Sequence, residues 1–433
     1  MYLRPYRRQI PLRLAGYGLV LTASTGSLAM AEAIPARAAT TCSSPVTPGS
    51  VYSGTPTEQR ALAPDRVWPM TTGRGVTVAV LDTGVDAAHP QLRDAVTAGW
   101  DLVAGGSGGT IDCSGHGTGV ASLIAARAAS GTGFAGLAPG ANILPIRVTE
   151  QITGANADAV PAGTLAEAIE RATNAGVGVI AVSLPSEGPT SRLKAAVDYA
   201  RNHNVVLVAT ASTTATGTAT STSTSTSTST LVYPAAYAGV LGVAAVDENG
   251  VRLPDALSGP SADIVAPGKE AVVAVPGRGH TLLTGSAAAT AVIAGTAALV
   301  RAAYPHLNAE GVTRRLLATA DAVPDVVGSP DARRMVDPDR AVTEMLTDQQ
   351  ARVLPAMPGP PDTSAQRQWQ AHWRSMSDTA TAPPVGGIPG GGAQAPPGRA
   401  AGGLGPVRAA VAPAARRRPD GAAGQLVRAQ ELS

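Results

Sequence analysis

Aromatic side chains are scarce in this chain. Its 433 residues include one Phe, four Trp and eight Tyr, an aromatic fraction of 3%, whereas hydrophobic residues make up 44%. That apolar content is ample for a buried core. Because aromatic residues are so few, we expect the core to consist of Ala, Val, Leu and Ile.

The chain also lacks an excess of charge of either sign. Its 33 basic and 31 acidic residues leave a formal net charge of +2 at pH 7. The Arg residues are scattered or confined to the ends, so the composition gives no electrostatic case for nucleic acid, which we exclude as a partner. No cluster of Asp, Asn and Glu has the spacing of a calcium site, and we predict neither a metal nor a cofactor.

Long hydrophobic runs are missing after the N-terminal region. Four Arg residues within the first 13 precede an apolar stretch over 14–31 and small residues up to Ala38. This is the plan of a secretory signal over 1–38, and a disordered leader is the alternative. The best later candidate for a membrane span, 287–300, is short and is better interpreted as a core helix. We therefore expect an exported protein, extracellular or associated with the cell envelope.

Cysteine is nearly absent, with Cys42 and Cys113 as its two occurrences. In an exported protein an even pair favours a disulfide, which would hold the N-terminal region beside His116. Two unpaired thiols are the alternative.

Composition divides the chain into four parts. After the signal, residues 39–75 are rich in Pro, Ser and Thr and indicate an extended arm without regular structure, with Trp68 as an anchor. Residues 76–345 carry the pattern of a folded domain. The tail over 346–433 is rich in Pro, Gly and Ala without periodicity, which predicts disorder.

Within 76–345, short apolar runs alternate with helical spacing. The runs are nearly continuous and rich in β-branched residues, as in strands buried on both faces. This alternation predicts an α/β fold in three layers, a central mostly parallel sheet covered by helices. An alternating Ser/Thr tract over 212–230 interrupts the pattern and predicts a solvated loop. The predicted strands lie in 76–81, 141–148, 177–184, 204–210 and 240–246, and the predicted helices are 162–175, 191–202, 287–304 and 308–318.

Two motifs indicate nucleophilic catalysis. In VTVAVLDTG, Asp82 ends an apolar strand, and in DCSGHGTGVA, His116 begins a helix between two glycines. A catalytic triad needs a carboxylate that orients an imidazole, and an imidazole that takes the proton of a hydroxyl. Asp82 and His116 fit the first two roles. His89, which precedes a proline in a turn, is interpreted as structural.

These motifs resemble those of the subtilase family, and within it the mycosins of actinobacterial type VII secretion. The resemblance covers about 66–343, including DRVWPMTTGRGVTVAVLDTGVDAAHPQL, DCSGHGT, YPAAYAGVLGVAAVD and MVDPDRAVT. It implies a subtilisin-like fold, a peptide or protein bound in the cleft, and type VII secretion components as partners. In mycosins a cysteine similar to Cys113 is bridged to the N-terminal extension, which supports Cys42 as its partner. The family also has a C-terminal membrane helix; no apolar span precedes the basic cluster in this tail, which argues against membrane association.

The serine motif departs from the family pattern. Subtilases read G-T-S-F-A-[AT]-P, and this chain reads GSAAATA from Gly285. Aligned without a gap, Gly285 and Gly295 match and Ala287 falls on the nucleophile. The alternative shifts the register so that Ser286 is the nucleophile, which loses both glycine matches. A shift of one residue rotates a helical side chain by about 100°.

The oxyanion residue is altered too. The resemblance implies an Asn after the strand over 204–210, and Thr213 stands there. We interpret the chain as a catalytically impaired subtilase, a pseudoenzyme that binds without cutting. The alternative is an active serine endopeptidase that uses Ser286 with His116 and Asp82, and a third hypothesis is a passive cell-surface module.

Overall fold

A computed structural model describes residue 42 and residues 46–150, 159–211, 231–253, 261–322 and 334–347. The predicted signal over 1–38, the Ser/Thr tract over 212–230 and almost all of the predicted tail over 346–433 lie outside these ranges.

Strands and helices alternate along most of the described chain. The strands are β1 (Thr77–Asp82), β2 (Gly99–Asp101), β3 (Ser107–Gly108), β4 (Asn142–Arg147), β5 (Val179–Val182), β6 (Val206–Thr210), β7 (Val240–Val246), β8 (Ile264–Pro267), β9 (Ala271–Ala274), β10 (His280–Leu283), β11 (Asp321–Ala322) and β12 (Arg334–Met335). The helices are α1 (Thr57–Leu62), α2 (His116–Ala125), α3 (Ala162–Asn174), α4 (Ser191–Asn202), α5 (Ser286–Ala303), α6 (Ala309–Thr319) and α7 (Pro338–Thr343), with a 3₁₀ turn at Pro64–Arg66.

The central sheet is mostly parallel, as predicted. Its strand order is β11-β12-β8-β7-β6-β5-β1-β4-β2-β3. The pairs from β8 through β4 to β2 are parallel, and only the outermost pairs, β11 with β12 and β2 with β3, are antiparallel. Every residue of β5, β6 and β7 is buried, because helices cover both faces of the sheet. Strands β9 and β10 form a separate antiparallel pair.

The predicted helices agree with the structure to within a residue at each end. Asn308, a predicted N-cap, accepts a hydrogen bond on Oδ1 from the Gly311 N–H at 2.8 Å. Helix α5 is long and apolar enough to cross a bilayer by composition, yet 78% of it is buried among the described residues. It is the core helix that the sequence predicts.

The prediction of an arm without regular structure is wrong in part. Residues Thr57–Leu62 form α1, and a 3₁₀ turn follows it. The composition, rich in Pro, Ser and Thr, gave no sign of this short helix. It begins directly after Pro56 and buries Ala61 and Leu62 against the core. Trp68 does anchor the region, because its Nε1–H donates to the Leu137 carbonyl at 3.0 Å.

Candidate active site

Asp82 is the last residue of β1 and lies at the carboxyl edge of the sheet. Neighbouring parallel strands β4 and β5 flank it, so its side chain is fully buried. The carboxylate accepts hydrogen bonds from the Thr83 N–H at 2.6 Å and from the Ser183 hydroxyl. Ser183 follows β5 directly, so two adjacent strand ends place these two groups together.

His116 is the first residue of α2 and faces that carboxylate. Its Nδ1 lies 2.8 Å and 2.9 Å from the two Asp82 oxygens. A carboxylate only accepts, so Nδ1 carries the proton, and Nε2 is the atom left to take a proton from another group. The preceding Gly115 has φ 82°, a left-handed conformation that favours glycine. A Cβ at Gly117 would lie 2.1 Å from the Gly84 carbonyl, which explains the second glycine of the motif.

Asp82 and His116 each stabilise the charged form of the other. Burial alone would raise the pKa of Asp82, but the His116 charge and the hydrogen bonds from His116, Ser183 and Thr83 outweigh it and lower that pKa. Burial would lower the pKa of His116, but the Asp82 charge and hydrogen bond raise it above its ordinary value. The His116 side chain is 15% exposed, so the imidazole remains accessible at the sheet edge.

A second carboxylate fixes the loop that carries His116. Buried Asp112 accepts hydrogen bonds from the Ser114 and Gly115 N–H groups at 3.1 Å and 2.7 Å, and from the Thr118 N–H at 2.8 Å. The hydroxyls of Thr83 and Thr118 donate to it at 2.8 Å and 2.6 Å. Asp112 thus ties the start of α2 to the end of β1. Ser183 and Asp112 were not predicted from the sequence. Their signals are a polar residue directly after a buried strand and an Asp three positions before the first glycine of the His116 loop.

Helix α5 also begins at the carboxyl edge, because the Gly285 N–H donates to the carbonyl of Gly268, just past the end of β8, at 2.8 Å. Its first residue, Ser286, is 1% exposed, and its Oγ accepts from the Ala245 N–H in β7 at 3.2 Å. Ala287 is partly exposed at the next position. Thr213, the predicted oxyanion residue, lies outside the described residues.

Cys42 and Cys113 form a disulfide, as the resemblance implies. The bridge joins the arm to the residue beside Asp112, three positions before His116. His89 is structural, as predicted: it is buried, and its Nε2–H donates to the Gly279 carbonyl at 3.2 Å. Among the residues that the structure describes, no group of three or more His, Cys, Asp and Glu is placed to hold a metal ion.

An Asp–His pair at the carboxyl edge of a parallel sheet, with a small-residue helix beginning at the same edge, points to one group of hydrolases. The family model of the subtilases matches residues 73–350, more than half of the sequence. The chain belongs to the subtilase family.

Among subtilases, the mycosins are similar to this chain along most of their length. Mycosin-1 of Mycobacterium tuberculosis is 35% identical over 333 residues, which cover 66% of this chain and 74% of that protein. The structure of MycP3, a protease from the type VII (ESX-3) secretion system, matches at 31% identity and a TM-score of 0.57, over 70% of this chain and 95% of that one. MycP1 from Mycobacterium smegmatis matches at 28% identity and a TM-score of 0.59, over 75% and 94%. This subtilase is therefore related to the proteases of type VII secretion.

Proposed function

We propose that this subtilase is an exported, catalytically impaired relative of the mycosins that binds extended peptide segments without cutting them. The observation that carries the proposal is the start of α5. Ala287 has no hydroxyl, and the neighbouring Ser286 hydroxyl is buried against the Ala245 N–H. We infer from this arrangement that neither residue supplies a nucleophile to His116.

Two glycines support the register that places Ala287 at the nucleophile position. Gly285 precedes the helix with φ 132°, a conformation open to glycine. Gly295 lies where a Cβ would come within 3.0 Å of the Leu137 side chain. The ungapped alignment matches both of these glycines to glycines of the family motif, whereas the shifted register matches neither.

The size of the expected loss favours a binding role. In subtilisin, another member of the family, losing the catalytic serine reduces kcat about a millionfold. Losing one oxyanion-hole donor reduces it by about 10²–10³. The first loss alone removes useful turnover, whereas binding an extended peptide through main-chain hydrogen bonds needs no nucleophile.

Export and the type VII secretion setting rest on separate observations. The Cys42–Cys113 disulfide favours an oxidising compartment, and the sequence over 1–38 has the plan of a secretory signal. The setting comes from the relatives, among which MycP3 is described as a protease from the type VII (ESX-3) secretion system. Secretion-system components are accordingly the partners we expect.

A fluorophosphonate probe tests the proposal against its main rival. Such probes label serine hydrolases through the activated hydroxyl, so the purified wild-type protein should stay unlabelled, as should Ser286→Ala. Labelling of the wild type that disappears in Ser286→Ala would establish an active endopeptidase that uses Ser286, and would end the proposal.

Affinity capture from the native host tests the binding role. The wild-type protein should retain secretion-system components, and incubation with an unfolded protein should give binding without new cleavage products by mass spectrometry. A protein that captures none of these components and binds no extended peptide would instead be a passive surface module.

A further inference from the structure

A segment of the N-terminal arm forms an antiparallel bridge with the first residue of β10, between Ser50 and His280. The Gly49 N–H donates to the Arg278 carbonyl at 3.0 Å, and the His280 N–H donates to the Ser50 carbonyl at 2.9 Å. The next bond is different in kind, because the Tyr52 N–H donates to the His280 ring nitrogen Nδ1 at 2.9 Å. We call residues 46–56 the flap; the Cys42–Cys113 disulfide lies before it and α1 after it.

The hydrogen bonds around His280 fix its protonation. The Gln91 side-chain NH₂ donates to the Arg127 and Phe134 carbonyls, each at 2.9 Å, so the Gln91 Oε1 faces His280 Nε2 at 2.7 Å. Nε2 must therefore carry the proton, and Nδ1 must be bare to accept from the Tyr52 N–H. The hydrogen bond from the Tyr52 N–H of the flap therefore requires a neutral His280 imidazole.

The surroundings of the ring disfavour a second proton. The Phe134 ring stands edge-on at 5.1 Å between centroids, and the paired residue on β9, Ala274, is apolar. His89 lies 6.3 Å away between centroids. Burial, and then the charge that His89 would carry, lower the pKa of His280 to about 4.

Other charges near the ring are few. The Asp86 carboxylate accepts from the Gly277 N–H at 2.6 Å and favours the charged form of His89, whose own pKa burial lowers. The flap contributes the neutral Tyr52 phenol, and Arg278 on the hairpin is exposed.

We propose that acid releases the flap from β10, so that the flap acts as a clasp. When His280 Nδ1 takes a proton from solvent, it becomes a donor and can no longer accept the hydrogen bond from the Tyr52 N–H. The Tyr52 N–H and the new Nδ1–H of His280 then face each other, so this hydrogen bond is lost. The two main-chain hydrogen bonds at Gly49 and Ser50 are then too few to hold the flap. The disulfide keeps the flap tethered, so deprotonation allows it to close again.

Release is confined to the flap because α1 responds to acid in the opposite way. Buried Glu58 on α1 accepts from the Val272 N–H in β9 at 2.8 Å. Burial raises the pKa of Glu58 to about 7, because the buried carboxylate is unfavourable as an ion. Acidification neutralises this carboxyl and so strengthens the packing of α1 against β9. Acid thus releases the flap, while the disulfide before it and α1 after it stay attached.

Opening would reach the candidate active site. A Cβ at Gly115 would lie 3.5 Å from a Val46 methyl, so the first flap residue packs on the glycine that precedes His116. An open flap uncovers this loop, and acidification would change access to the Asp82–His116 pair.

Hydrogen exchange with mass spectrometry on the full chain tests the clasp. Protection of flap amides, corrected for the intrinsic effect of pH, should fall about 20-fold from pH 7 to pH 5, since the His280 pKa is about 4 in the closed state against 6.5 for an ordinary histidine. His280→Asn places an oxygen acceptor near Nδ1 that does not titrate, and its flap protection should stay constant. His306→Asn, at an exposed histidine, is the matched control and should follow the wild type. Constant protection in the wild type, or an equal fall in His280→Asn, would overturn the proposal.

Two further variants keep the test decisive if His280→Asn fails to fold. Gln91→Glu places a carboxylate on Nε2, which stabilises the imidazolium, so flap release should move to higher pH. An unchanged midpoint in this variant contradicts the clasp. Gly49→Ala introduces a Cβ that would lie 2.2 Å from the His280 carbonyl, so its flap should exchange fast at every pH and define the open state. Protection of α1 that falls together with the flap would show general unfolding and would also count against the proposal.

Discussion

The Ser286 hydroxyl accepts a hydrogen bond from the Ala245 N–H at 3.2 Å. Ala245 lies one residue before the end of β7, so this contact directs the first side chain of α5 towards the sheet. The next side chain, Ala287, is rotated by about 100° and is partly exposed. The hydroxyl in this stretch is therefore part of the core, and the more exposed position holds a methyl group.

Restoring a hydroxyl at position 287 should restore the chemistry in part. We expect Ala287→Ser to react with a fluorophosphonate probe, because the Asp82–His116 pair is already assembled, with Nε2 free to take a proton. Turnover should remain low without an oxyanion donor. Adding Thr213→Asn should raise kcat by about 10²–10³, the usual worth of that donor.

Labelling of Ala287→Ser should survive a further Ser286→Ala change and disappear with His116→Ala. If labelling of Ala287→Ser disappears in the Ser286→Ala background, Ser286 is the nucleophile and the ungapped register is refuted.

Removing the Asp82 charge should lower the pKa of His116. That pKa is raised because the Asp82 charge and hydrogen bond outweigh the effect of burial, so in Asp82→Asn burial should dominate. A group with a raised folded pKa stabilises the fold below its ordinary pKa and loses this effect as pH rises through the folded value. The gap in unfolding free energy between wild type and Asp82→Asn should therefore narrow at alkaline pH.

NMR titration of the His116 imidazole measures this shift directly. Asp94→Asn, at an exposed carboxylate, is the control and should leave the titration unchanged. An unaltered His116 midpoint in Asp82→Asn would mean that the carboxylate does not set the charge of this imidazole.

The sequence predicted the frame of the fold because its signals are local. Helix α4, predicted over 191–202, occupies Ser191–Asn202, because its apolar spacing is local and Thr190, whose Oγ1 accepts from the Leu193 N–H, caps its start. Helix α1 was missed because six residues carry little periodicity, and what stabilises it is burial against distant residues.

The site divides in the same way. Asp82 and His116 lie in motifs that mark a strand end and a helix start, so each was predictable alone. The local signals for Ser183 and Asp112 are weak, because parallel strand pairing and loop hydrogen bonds are what bring these residues to the site. The contact between Tyr52 and His280 joins residues 228 positions apart, and only the folded chain brings them together.

Loss of the disulfide should destabilise the protein without abolishing the fold. The bridge spans a sequence separation of 71 residues, and closing a loop of this size restricts the unfolded chain. We expect the double variant Cys42→Ser, Cys113→Ser to lose about 2–4 kcal/mol of unfolding free energy. Urea denaturation followed by circular dichroism measures the change. Reductant should weaken the wild type to the same level and leave the variant unaffected; a wild type indifferent to reductant would contradict this prediction.

Glu58→Gln should stabilise the protein at alkaline pH and not in acid. The pKa of Glu58 is raised by burial from 4.5 to about 7, so the folded state holds a proton that the unfolded state releases between these values. Stability from this group is complete below pH 4.5 and is lost as pH rises through 7. Gln keeps an acceptor for the Val272 N–H and never ionises, so the variant should gain about 3 kcal/mol over the wild type at pH 8 and nothing near pH 4. Urea denaturation at the two pH values, with Glu187→Gln at an exposed position as the control, measures the difference. An equal gain at both pH values would trace the effect to packing of α1 rather than to its buried charge, and a loss at pH 8 would mean that the ionised carboxylate is what holds α1 on β9.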